Sequence, residues 1–396
     1  MGARLTDSVL YAHLWGTEEL REVFDERQRL QAWLDILVAL AQAQAEYGVI
    51  PEQAAQVIAA GADAGRLDLA FVAAETRRTG HSTLGLIHGL RAVLPEAGGQ
   101  WIYHAATVQD VTDTWMALAF RRVGAVAWRQ LRAVEAGLLA LAEVHRDTPM
   151  CGRTHGQPGA PITFGLKAAA WADEVRRQLD RLREALPRLA VGQLGGAVGT
   201  LAAFGPHGLE VRRRFCERVG LADPGIAWLA SRDRPAEMTG LLAMITGTLA
   251  RVGNEVVELS RPEIGELAES VPPGVVGSIT MPHKVNPEVA EHLVTLARLV
   301  RAQHAVVLEG LVAEGERDGR GWKAEWVAVP EACLLAGAAL EAGRKLVTGL
   351  VVHPEAMRAN LEARLGTADT GASAAMVDLV VRRARAARAA EPEGWA

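Results

Sequence analysis

The chain has 396 residues, 49% of them hydrophobic, and a formal net charge of −5. That supplies apolar material for a large core divided over two or three domains. The mild acidity, with no basic stripe interleaved with aromatics, argues against a nucleic-acid partner.

Only 5% of residues are aromatic, and Ala, Leu, Glu and Arg dominate, so helices are favoured over sheets. The opening MGARLTDSVLYAHLWG has no apolar signal core, and no apolar run approaches the roughly 18 residues of a membrane span. A cytoplasmic protein away from membranes is therefore expected. Cys151, Cys216 and Cys333 are far apart and form no CxxC pair, so neither a disulfide framework nor a zinc site is supported.

Residues 22–48 read as one amphipathic helix. Leu30, Trp33, Leu34, Leu37, Leu40 and Ala41 recur at three- and four-residue steps, and Gly48 and Pro51 stop it. Residues 52–95 read as shorter helices broken at Gly61, Gly65 and Gly80. The proline-free run 113–144 predicts a rod of roughly 45–50 Å. Similar helical patterns cover 161–188, 234–262, 288–315 and 325–349. Five long helices between Gly/Pro-rich breaks imply an elongated bundle.

In 288–305, Val289, Leu293, Leu296 and Val300 form one apolar stripe, widened by Ala290, Ala297, Leu299 and Ala302. A helix apolar over so much of its circumference needs partners, so association between chains is expected. Arg382, Arg383, Arg385 and Arg388 read as one charged helix face rather than a binding patch.

Four polar segments interrupt the helices: TRRTGHSTLG (76–85), WIYHAATVQDVTDT (101–114), DTPMCGRTHGQPGAPITFG (147–165) and GSITMPHKVNP (277–287). Taken singly each has an ordinary use. His81 or His104 could be a loop histidine, Asp110 or Thr112 could cap a helix starting near Asp113, and Gly156, Pro158 and Pro161 could simply turn the chain. All four lie at ends of long helices, where a parallel bundle would bring them to one level. Asn286 is placed to be an N-cap with Pro287 as the first helical residue. Glu291 in the first turns could hydrogen-bond a histidine from another segment and raise its basicity.

GSITMPHKVNP resembles the signature of the fumarase/aspartase superfamily, close to G-S-S-x-M-P-x-K-x-N-P. It matches at Gly277, Ser278, Met281, Pro282, Lys284, Asn286 and Pro287, with Ile279 where a second serine is usual. ATVQDVTDT, GRTHGQPGAPITFG and GGAVGT (195–200) resemble its other conserved blocks in order, over roughly residues 20–365.

The resemblance implies an all-α fold: an elongated central long-helix bundle flanked by smaller helical domains, the C-terminal one shortened. The expected division is 1–97, 98–348 (signature loop 270–287) and 349–396. It also implies anti-elimination from a succinyl compound by a homotetramer whose sites take segments from three chains, with no metal or cofactor and a small dicarboxylate as substrate.

In that scheme Ser278 is the base on the family's mobile loop, and Lys284 and backbone N–H groups support its oxyanion. Lys284 and Asn286 hold the carboxylate whose charge grows. His155 stands at the acid position with Glu291 as its partner. Thr107, Thr154, Gln157, Met281, Arg317 and His81 join the substrate-binding set, together with Tyr103 or His104, one of which takes the place of a usual histidine.

The chain departs from nucleotide-cleaving relatives at Tyr103, Ala105 and Val108, where H-x-G-A-T-S-x-D is usual, and in two further places. Residues 14–17 (LWGT) supply no positive charge, and after GERD (315–318) a Ser-rich phosphate contact is replaced by GRGWKAEWVAVPE. That string, with Trp322, Ala324, Glu325 and Trp326, resembles 3-carboxy-cis,cis-muconate cycloisomerases. The leading expectation is a lyase releasing fumarate from a small substituted succinate, most simply by C–N cleavage. A lactonising cycloisomerase comes next, then adenylosuccinate or argininosuccinate cleavage, and a silent oligomeric scaffold is the alternative of a different class.

Overall fold

The computed structural model describes residues 4–281 and 284–395. The chain opens with α1 (Ala12–Trp15), α2 (Glu18–Phe24) and α3 (Glu26–Glu46). The single helix expected over 22–48 is thus two. Asp25 ends the first and caps the second, its carboxylate accepting the Arg27 and Gln28 N–H groups at 3.0 and 3.1 Å. Helices α4 (Glu52–Gly61), α5 (Leu69–Thr79), α6 (Leu84–Val93) and α7 (Glu96–Gly99) follow, with breaks where the glycines were read. Gly80 closes α5 in the left-handed region at φ 64°.

The central unit is built from α8 (Val108–Val144), β1 (Pro149–Thr154), β2 (Gln157–Thr163), α9 (Phe164–Leu189), α10 (Gly208–Val219), α11 (Asp233–Leu259), β3 (Leu267–Glu269), α12 (Glu288–Glu309) and α13 (Gly319–Thr348). Strand β4 (Leu350–Val352), α14 (Pro354–Leu365) and α15 (Ser373–Ala390) complete it. The fold is helical, as expected, with two small antiparallel pairs, β1–β2 and β3–β4. One apolar core runs through α8, α9, α11, α12 and α13. A second unites α3, α4 and α6 with Phe204 and with Val211 and Phe215 of α10.

Helix ends differ from the sequence reading where caps lie outside the periodic stretch. Helix α8 begins five residues before Asp113, because Asp110 reaches back to the Thr107 N–H (2.8 Å). Helix α13 begins at Gly319, with the Asp318 carboxylate accepting the Arg320 N–H at 2.9 Å. Asn286 does not cap α12. That end is held by Glu269 of β3, whose carboxylate accepts the Val289 and Ala290 N–H groups at 3.1 and 2.7 Å. Burial pushes the Glu269 carboxyl up from its ordinary range, and these two bonds oppose the shift.

The long helices alternate in direction, so the polar breaks divide between two ends of the bundle rather than meeting at one level. At the near end, Asp110 of α8 accepts the Gly195 and Gly196 N–H groups (2.8 and 3.1 Å), and Arg232 before α11 pairs with Asp113 (2.7 Å). At the far end, Arg153 of β1 forms two bonds to Glu266 beside β3 (2.8 and 2.7 Å), and β3 pairs with β4 after α13.

On α12, Leu293, Leu296 and Val300 are buried as the stripe predicts. Leu299 (38% exposed) and Val306 (43%) stay on the surface, with Met244 of α11 also exposed. Helix α13 is long and apolar enough to cross a membrane by length and composition, but 67% of its most apolar window is buried inside the fold.

The C-terminal arginines are partly absorbed by α8: Arg385 pairs with Glu143 and Arg388 with Glu135. The tail then docks. Trp395 is 5% exposed and its indole N–H donates to the Leu182 carbonyl at 3.1 Å. A Cβ on Gly124 would stand 2.0 Å from that ring, so the glycine is what admits it. Cys151, Cys216 and Cys333 are free and buried. Burial raises all three thiols, Cys216 and Cys333 to about 12.

Candidate active site

The near end places Thr107 at the start of α8 and Arg317 in the turn between α12 and α13. The Arg317 guanidinium donates to Thr107 Oγ1 at 2.6 Å and to Gln109 Oε1 at 3.0 Å. Tyr103 is held in the left-handed region at φ 64°, a conformation costly for a bulky residue. Its phenol faces the hydroxyls of Thr83 and Thr107, and burial raises its pKa, so it remains a donor. His104 turns away: its ring lies edge-on to Trp101 (centroids 5.1 Å apart), and its carbonyl accepts from Gln44. Tyr103, not His104, therefore occupies the corner. His81 is exposed two residues before Thr83, beside this corner.

Beneath the corner, buried Asp110 accepts four N–H groups: from Thr107, Gly195, Gly196 and the Gln193 side chain. Burial outweighs these bonds and the carboxyl is pushed up to about 6. A carboxyl raised on folding contributes stability below its unfolded value that is lost as pH rises through the folded one. The stability gap, wild type minus Asp110→Asn, should accordingly fall by roughly 2 kcal/mol between about pH 4 and pH 7. Urea unfolding at both pH values measures it; a constant or rising gap contradicts this electrostatic reading.

At the far end, β1 and β2 form a hairpin whose two-residue turn is His155 (φ 51°) and Gly156 (φ 75°). Both positive φ values match a tight primed turn and aim His155 outward. Thr154, His155 and Gln157 are all exposed at its tip. The base is fixed by Arg153 on Glu266, which also accepts from Asn360 at 2.9 Å.

The signature loop leaves the same end. Asn286 Nδ2 donates to the Gly277 carbonyl at 3.1 Å, closing the loop. A Cβ on Gly277 would meet the Lys284 carbonyl at 2.9 Å, so that closure needs glycine. Ser278 is half-buried, and its Oγ accepts the Met281 N–H at 3.1 Å. Met281 and Lys284 are exposed, as is Glu291 in the first turn of α12. Pro282 of the signature lies outside the described residues.

The chain thus brings Thr107, Arg317 and Tyr103 together at one end, and carries His155 and the Ser278 loop at the other. Helix α8, with 37 residues, separates Thr107 from the hairpin by about 55 Å. No hydrogen bond or ion pair among the described residues joins His155 to Glu291 within one chain.

Sequence reasoning missed Gln109 and the Asp113–Arg232–Glu325 group, in which Arg232 bonds Glu325 at 2.5 and 3.0 Å. Arg232 reaches its partners across 93 and 119 residues and Gln109 meets Arg317 across 208, and of these residues only Glu325, in the WKAEW string, and Asp113, as a helix start, had drawn notice.

Helices in alternating directions thus carry polar corners at both ends of the bundle. A family model described as lyase matches residues 16–302, and the chain belongs to the fumarase/aspartase superfamily. It is 40% identical to an N-acetyl-S-(2-succino)cysteine lyase of Dickeya dadantii over 366 residues, 92% of this chain and 80% of that relative. An adenylosuccinate lyase of Methanothermobacter thermautotrophicus is 39% identical over 88% of this chain and 78% of its own length. In structure, the 3-carboxy-cis,cis-muconate lactonizing enzyme of Pseudomonas putida superposes with a TM-score of 0.85 at 31% identity, covering 96% of this chain and 88% of that one.

Proposed function

We propose that the protein releases fumarate by anti-elimination from a small succinate substituted through sulfur or nitrogen, in a homotetramer that joins the two bundle ends of different chains. The observation that carries this reading is the Met281 N–H donated to Ser278 Oγ. A serine hydroxyl is a poor base unless its oxyanion is stabilised, and a backbone N–H aimed at the oxygen does so without reorganisation.

Ser278 then takes the proton from the carbon beside a carboxylate. Lys284, Asn286, Thr107 and Arg317 bind the carboxylates, including the one whose charge grows as the carbanion forms. His155, oriented by Glu291 once chains assemble, assists departure of the heteroatom on the neighbouring carbon. Tyr103, protonated, donates at the Thr107 side, with His81, Thr154, Gln157 and Met281 around the substrate.

The substituent is small rather than a nucleotide. Residues 14–17 carry no cation, and Trp322 and Trp326 pack edge-on at 4.7 Å where a phosphate contact was expected in nucleotide-cleaving relatives. The similarity to an S-succinocysteine lyase extends the C–N expectation to C–S bonds. A lactonising reading is favoured by WKAEW, but Glu325 in that string is buried and committed to Arg232, which gives it a structural use.

Incubation with S-succinyl thiols, N-succinyl amines and carboxymuconate separates the readings. Growth of fumarate absorbance from a thiol or amine adduct is expected. Lactone from carboxymuconate with no fumarate from any adduct would overturn the proposal.

A further inference from the structure

Between α3, α5, α6, α8 and α13 lies a cavity of about 470 Å³, a size that suits a small ligand. Its walls are mainly apolar and aromatic, with Trp33, Trp115 and Trp326 among them. Arg29 stands among them. Its guanidinium carbon sits 5.9 Å from both the Trp33 and Trp115 ring centroids, beside the edge-to-face pair that these two rings form. Among the described residues it makes no side-chain hydrogen bond or ion pair, and its Nε is buried without a partner. The Trp33 indole N–H on the same wall is likewise buried and unpartnered.

Other enclosed arginines in this protein are matched: Arg232 with Asp113 and Glu325, Arg176 with Glu135, Arg212 with Asp223. Two donors left unmet in an apolar cavity cost free energy that a ligand's acceptor would recover. The cavity therefore suits a group with an apolar or aromatic body and a carboxylate. Two links tie it to the Thr107 corner. Ser82, on its wall, adjoins Thr83, which faces Tyr103. A hydrogen-bonded series also runs from Arg317 through Gln109, Asp113 and Arg232 to Glu325 at the cavity edge.

We infer that this cavity receives the heteroatom substituent of the succinate, and that Arg29 with Trp33 selects substituents bearing a carboxylate on an apolar body. This rests on the lyase reading above. The other charged groups at the cavity, Glu26 and Arg77, are exposed at its rim, and Glu325 is taken by Arg232.

The test compares succinate adducts of 3-phenylpropanoate carrying a thiol with adducts of the matching amide, in wild type, Arg29→Met and Arg29→Lys. Arg29→Met should raise KM for the carboxylate adduct by about tenfold or more, the range for losing a charged hydrogen bond, with kcat nearly unchanged. The amide adduct should shift by no more than about twofold, and Arg29→Lys should recover part of the loss. Equal KM changes for both adducts, or none for either, would overturn the inference and leave the lyase reading standing.

Calorimetric titration with 3-phenylpropanoate itself needs no turnover. Binding to wild type that weakens by about tenfold in Arg29→Met, with no such change for the amide, supports the site. Binding indifferent to Arg29→Met, or no binding to wild type, refutes it. Wild type releasing no fumarate from any adduct defeats the lyase reading, and this titration still decides the cavity's ligand.

Discussion

Ser278→Ala is expected to lower kcat for fumarate release by about 10³-fold or more, the scale of a general base removed from a carbon-acid abstraction. The substitution deletes one oxygen whose only hydrogen bond among the described residues is the Met281 N–H. It sits in a surface loop, so stability and assembly should be little changed. KM should move far less than kcat, because in the proposed mechanism the serine acts on the reacting proton while Thr107, Arg317, Lys284 and Asn286 supply the binding. Steady-state fumarate absorbance, with the melting temperature as control, reads both parts. A variant retaining wild-type kcat would remove Ser278 from the mechanism. A loss matched by a collapse in melting temperature would make its role structural. A silent scaffold predicts no wild-type turnover to lose; of the two departures that favour that view, Ile279 and Tyr103, Ile279 is 94% exposed.

Much of the fold was legible because helices advertise themselves by period. The stripe on α12 buried Leu293, Leu296 and Val300 as read, and the breaks at Gly61 and Gly80 fell in place. What escaped depends on partners distant in sequence or on chain direction. The split at Asp25 was hidden because apolar positions on both sides keep the same period across one capping residue. Glu269 capping α12 comes from a three-residue strand nineteen or more positions upstream, so the nearer Asn286 was the natural choice. The β1–β2 hairpin was obscured by Pro158 and Pro161, which argue against a strand unless it lies at an edge.

The candidate site was read by residue type more securely than by position. Ser278, His155, Thr107 and Arg317 all stand in the breaks between long helices, but the alternation of helix directions, which no local pattern reveals, sends them to opposite ends. The choice between Tyr103 and His104 needed a backbone conformation: the positive φ at Tyr103 and Ala105 turns the phenol toward Thr107 and His104 toward Trp101. The Asp113–Arg232–Glu325 group links segments that sequence spacing cannot pair. It explains why Glu325, conspicuous in the WKAEW string, is buried and paired rather than available for chemistry.

The central claim is that each site joins the Thr107–Arg317 corner of one chain to the Ser278 loop of another, because α8 holds these ends about 55 Å apart within a chain. Two inactive variants should then rescue each other. Arg317→Ala cripples every site through one chain, and Ser278→Ala through another. After the two are unfolded together in equal amounts and reassembled, random mixing leaves about one quarter of sites with both groups intact. Fumarate release should rise from near zero in each variant alone to about one quarter of the wild-type rate in the mixture. The variants mixed without unfolding should remain inactive until chains exchange. A reassembled mixture no more active than its separate components, in hands where wild type recovers fully from the same treatment, would contradict the shared site.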